Sequence, residues 1–149
     1  MRTRRTRLLA LVSAVTLVLV MAAPTSAGSL GRVSWSPSSI NFGKVQVGST
    51  PVRVIWVTNG LKVPALISSE SLGGANADQF AAGAGTTDDC FDKVVSGEFL
   101  NPGETCGWVI QFDPQAAGAY SARFTSTLSL GPNVDVTYTV AVNLRGTGY

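Results

Sequence analysis

The residues best placed to do chemistry sit in one short stretch: Cys90, flanked by Asp88, Asp89 and Asp92 and followed by Lys93, with a second cysteine at Cys106. Three chemistries could use them. A thiolate activated by Lys93 could act as a nucleophile. Two carboxylates at a fixed separation could hydrolyse a glycosidic bond, and a group of carboxylates and carbonyls could hold a calcium ion. The chain contains no histidine, so Ser-His-Asp and Cys-His sites as ordinarily built are excluded. The same absence removes His-ligated zinc, copper and haem centres, and there is no third thiol to complete a zinc site. The acids do not follow EF-hand spacing, and no aromatic cluster lies beside them to stack on a sugar ring. Asp88, Asp89 and Asp92 therefore read first as a solvated loop and next as a weak calcium site, with a small secreted hydrolase or inhibitor using this acidic loop as the alternative function. No catalytic residue, cofactor or metal ligand is expected.

The compartment decides what the cysteines do. Arg2, Arg4, Arg5 and Arg7 precede an apolar run from Leu8 to Ala23, and Thr25-Ser26-Ala27 supplies small residues at the −3 and −1 positions. This is the pattern of a secretory signal peptide spanning residues 1–27, cleaved after Ala27, with an uncleaved anchor as the alternative. The apolar run is short for a membrane span, and the Arg4-Arg5 pair leaves the general secretory and twin-arginine routes both open. Cleavage would leave no membrane-spanning segment. It would also remove four of the eleven basic residues and none of the nine acidic ones. The pI of about 8.7 thus belongs to the precursor, and the mature chain, near −2, lacks the basic excess that nucleic-acid binding requires. In an oxidising compartment an isolated cysteine pair reads as a Cys90–Cys106 disulfide, with two free thiols or metal binding as the alternative.

Residues 28–149 then form one domain, and their patterning is that of strands. Val134, Val136, Tyr138, Val140, Val142 and Leu144 alternate with polar residues over a long run, as do Tyr120, Ala122, Phe124 and Leu128 before them. A period of two marks strands with one buried face, and Gly131-Pro132-Asn133 between the runs predicts a hairpin turn. Trp108, Ile110 and Phe112 mark another strand, with Cys106 at its head. Val52 to Thr58 is apolar on both faces, as a central strand would be. Ser36 to Val47 supplies the first strands, and Leu66-Ile67 a short one. Residues 71–105 are weakly patterned, with one helical turn expected at Ala77 to Ala81. Seven or eight strands without an amphipathic helix predict a two-sheet sandwich.

Small motifs run through this pattern in order: Pro37, Phe42-Gly43, Val47-Gly48, Thr58-Asn59, Phe80, the Cys90 and Cys106 pair, Pro102-Gly103, Phe112-Asp113-Pro114, Gly118 and Gly146-Thr147-Gly148. In order and spacing, from Ser36 to Gly148, they resemble ASH/Hydin-type immunoglobulin-like domains, which are related to the major sperm protein fold and occur in bacterial proteins described as choice-of-anchor D. One departure is Asn59-Gly60 in place of the usual Asn-Thr-Gly. The resemblance implies an all-β, immunoglobulin-like (ASH/MSP-like) two-sheet antiparallel β-sandwich, and it brings no catalytic residues with it. It also places Ile55 and Val57 inward, leaving Val54 and Trp56 outward as a candidate contact patch unless a neighbouring strand or loop covers them. The expected role is that of a secreted, extracellular module of a bacterium, binding an unidentified protein or cell-envelope component.

Overall fold

The computed structural model describes residues 31–130 and 136–149. The expected signal segment, its cleavage point at Ala27 and the Gly131-Pro132-Asn133 turn lie outside these residues. Nine strands are described: β1 (Val33–Ser36), β2 (Ser39–Val45), β3 (Val52–Asn59), β4 (Ala65–Gly73), β5 (Phe80–Gly83), β6 (Phe99–Leu100), β7 (Thr105–Phe112), β8 (Gly118–Ser129) and β9 (Thr137–Gly148). They form a four-stranded sheet in the order β1-β3-β7-β5 and a five-stranded sheet in the order β2-β9-β8-β4-β6. The fold is the expected all-β sandwich.

The strands that carry the two long alternating runs pair from Gly118 opposite Gly148 to Ser129 opposite Thr137; Val136, expected on the buried face, precedes β9 and is exposed, and Val134 lies outside the described residues. The apolar faces of β8 and β9 meet the inward side chains of β3 and β7. Trp108, Ile110, Phe112, Phe124, Leu128, Ile55, Val57, Val140 and Val142 are fully buried in this layer. Burying one such side chain stabilises the fold by roughly 1.5–3 kcal/mol, so the period-two pattern specifies both register and facing. At one end Phe112 stacks on Phe80 at 4.8 Å and tilts against Phe42 at 5.4 Å.

Most pairings are antiparallel, but β2 runs parallel to β9. The reason lies at Pro37. The first apolar run breaks there, so β1 pairs with β3 while β2 crosses to the other sheet and lies along the final strand. Proline lacks the N–H needed to continue a ladder, which suits it to such a switch.

The weakly patterned stretch differs most from expectation. Strand β4 extends well beyond Leu66-Ile67, to Gly73, because β8 supplies pairing partners for its polar half as far as Arg123. The helical turn covers only Ala77–Gln79; Phe80 is already extended because its ring belongs to the Phe112 stack. A short helix, α1 (Cys90–Ser96), stands where only loop was expected. Asp89 caps its first turn, and Gly97, at φ 69°, ends it in the left-handed conformation that glycine adopts without strain. Seven residues are too few to show a helical period in sequence.

Candidate interaction surface

Strand β3 points Ile55 and Val57 into the core, both fully buried, and must therefore point Val52, Val54 and Trp56 outward. Val52 is 50% exposed and Trp56 42% exposed, with Val54 partly covered. The cross-strand partner of Trp56 on β7 is Gly107, and on β1 it is Ser36. Both partners are small, which leaves room for the indole to spread across the sheet. A Cβ added to Gly107 would stand 3.0 Å from Trp56 Cζ3 and 2.9 Å from the Thr86 side chain. The indole and Thr86 thus share the space above one glycine.

Thr86 belongs to the segment that leads into α1, and this brings the disulfide loop to the edge of the Trp56 face. Gly107 N–H donates to the Asp88 carbonyl at 2.7 Å, so residues 84–89 run alongside β7. The Cys90–Cys106 disulfide fastens the first residue of α1 to β7 across a sequence separation of 16. Both cysteines are fully buried and neither is free. The thiolate and metal alternatives therefore fall away.

The acidic trio is divided rather than gathered. Asp89 is buried, and its carboxylate accepts hydrogen bonds from the N–H groups of Gly85, Thr86 and Phe91, the last at 2.8 Å. Asp88 and Asp92 are exposed. Asp89 shapes the loop and caps α1, so it is not the solvated acid that the sequence suggested. Among the described residues no group of three or more acidic or cysteine side chains could hold a metal ion.

Lys93, considered as the activator of a cysteine, instead joins α1 to the turn before β7. Its ammonium lies 2.6 Å from Glu104 and 3.8 Å from Glu98. Lys93, together with the N–H of Asn101, holds the Glu104 carboxyl below the usual glutamate value. Gly107 and Thr86 belong to none of the sequence motifs. The signal for Gly107 was present, since a glycine inside an apolar strand marks a close approach of another group. Nothing in the sequence places Thr86 above it.

Among the described residues no helix is long and apolar enough to cross a membrane. No protein-family model and no curated protein sequence matches the chain. Several solved structures do. The ASH/PapD-like domain of human CEP192 (PapD-like domain 7) matches with a TM-score of 0.59 at 15% identity, covering 90% of this chain and 96% of that one. The Vibrio cholerae VesB protease matches with a TM-score of 0.59 at 18% identity over 77% of this chain, which spans only 31% of the protease. The secreted serine protease VesC from Vibrio cholerae gives 0.51 at 15% identity, with 80% and 23% of the two chains covered. The chain thus spans less than a third of either protease, and without histidine it has no Ser-His-Asp triad. At these identities the likeness is one of fold: the chain has the architecture of the ASH/PapD-like immunoglobulin domains.

Proposed function

We propose that this chain is a secreted, non-catalytic immunoglobulin-like module of a bacterium, of the choice-of-anchor D type. In this reading it binds a protein or cell-envelope component through the Trp56 face and the adjoining disulfide loop. The observation that carries it is the exposed indole of Trp56 beside Val52 and Val54, on a sheet face where the Gly85–Thr86 segment lies against β7 and leaves the indole open to solvent. Large aromatic side chains with neighbouring aliphatic ones supply much of the binding energy at protein interfaces. The disulfide pins the loop next to them, which lowers the ordering cost of binding. Export, suggested by residues 1–27, agrees with a buried disulfide and with the absence of free thiols among the described residues.

The test is cross-linking of intact cells and medium of the native host, with identification of what is joined to the protein by mass spectrometry. A reproducible partner whose yield falls about tenfold or more in Trp56→Ala is the expected result. Recovery of an uncross-linked monomer, or a partner indifferent to Trp56, would overturn it. The rival hydrolase or inhibitor reading predicts loss of an activity in Asp88→Ala or Asp92→Ala. The dispersal of the acids argues against it.

A further inference from the structure

The outer face of the five-stranded sheet is made largely of serine, threonine and asparagine, and it carries two arginines on adjacent strands. Arg123 on β8 is the cross-strand partner of Asn143 on β9, and Arg145 on β9 is the partner of Ser121 on β8. The two arginines are therefore diagonal neighbours on the same solvent-facing side. Both are exposed, and among the described residues neither forms an ion pair; both recorded ion pairs involve Lys93. Like charges that are near neighbours on a sheet face repel, so the pair is left with unneutralised positive charge.

A cleft of about 430 Å³ lies between them, lined by Gly74, Ser121, Arg123, Asn143 and Arg145, with Ala122 and Leu144. Its wall is held in place. Gly74 turns the backbone at φ 107°, a conformation that favours glycine, and lies in van der Waals contact with Ala122. Asn76 Oδ1 accepts the Ser121 N–H at 3.1 Å, fixing the turn against β8. Two arginines, an asparagine and a serine thus line one open cleft.

We propose that this cleft binds a phosphate group, carried either by a small soluble ligand or by a lipid headgroup. Two positive charges with hydrogen-bonding neighbours match a tetrahedral phosphate oxyanion, and the guanidinium fork contacts such oxygens in pairs. The site lies on the opposite sheet from Trp56, so it stands or falls independently of the binding face proposed above.

The experiment is a titration of the purified protein with inorganic phosphate, followed by amide chemical shifts, and in parallel with vesicles of phosphatidylglycerol and of phosphatidylcholine. A chloride titration at matched ionic strength serves as the blank. Expected are saturable shifts at Gly74, Ser121, Arg123, Asn143 and Arg145. Both R123Q and R145Q should weaken binding by about tenfold or more, while K62Q, at an exposed lysine between β3 and β4, leaves it unchanged. Both arginines are exposed, so the variants should retain the wild-type spectrum elsewhere. Saturation by inorganic phosphate assigns a soluble ligand. Binding confined to the anionic vesicles assigns a lipid headgroup. No saturation by either, shifts that chloride reproduces, or shifts that survive both substitutions would overturn the proposal.

Discussion

Trp56 and Gly107 are cross-strand partners, and the indole reaches to within 3.0 Å of where a Gly107 Cβ would be. The exposed aromatic on the outer face of β3 is thus seated by the absence of a side chain on the neighbouring strand. Gly107 carries no positive φ, so the requirement is steric and not conformational. The Gly107→Ala substitution should push Thr86 away from its hydrogen bond to the Asp88 carbonyl and lift the indole. The expected cost is about 1–3 kcal/mol, the range for overpacking. Urea unfolding would measure it, and a red shift in Trp56 emission, read with Trp35 and Trp108 replaced by Phe, would report the displaced ring. An unchanged midpoint and spectrum would mean that the indole moves aside freely.

Asn59 ends β3 fully buried, and its side chain is entirely engaged. The amide donates to the carbonyls of Val63 at 2.9 Å and Leu100 at 2.7 Å, and its oxygen accepts the Leu61 N–H at 3.0 Å. One side chain therefore ties the turn after β3 to β6 in the other sheet. Asn59→Ala would strand the Leu100 carbonyl and the Leu61 N–H in buried positions, while the Val63 carbonyl lies nearer solvent. A loss of about 2–4 kcal/mol is expected from denaturant unfolding. A loss below about 1 kcal/mol would show that water replaces the amide there.

The disulfide fastens a helix too short to persist alone. Replacing both cysteines with alanine should cost about 3 kcal/mol, the chain-entropy value for a loop of this length. The loss should not be evenly distributed. Amides in Cys90–Ser96 and in the preceding segment should lose hydrogen-exchange protection first, while those of β8 and β9 keep theirs until global unfolding. Uniform loss of protection would instead mean that α1 and the sandwich unfold as one unit.

The same elements show why some features were legible in the sequence and others were not. Strands β7, β8 and β9 were legible because each buries one face, and alternation records that directly. The pairing of the cysteines followed from their isolation. Asp89 was not legible, because its role depends on Gly85 and Thr86 folding back onto its carboxylate, and three neighbouring acids look alike when written in a line. Half of β4 escaped notice because pairing with β8, and not its own apolar residues, makes it a strand. The outward facing of Arg123 and Arg145 was legible from alternation. Their proximity required the β8–β9 register, and the cleft between them required the turn at Gly74.

Glu104 gives the fold a pH dependence whose sign can be fixed. Its carboxyl is held below the ordinary value of 4.5, first by the hydrogen bond with Lys93 and then by the Asn101 N–H. The depression means that the folded protein favours the charged carboxylate more strongly than the unfolded chain does. This stabilisation is complete above the ordinary value and is lost as pH falls through the lowered folded-state value. With the Glu104 side chain 31% exposed, the contribution should stay below about 1 kcal/mol and shrink with added salt. Unfolding midpoints at neutral and acidic pH, compared between the wild type and Glu104→Gln, would measure it. The wild type should lose more stability than the variant on acidification. Parallel losses would mean that the Lys93–Glu104 contact forms equally well with a protonated acid, and that another carboxylate governs acid stability.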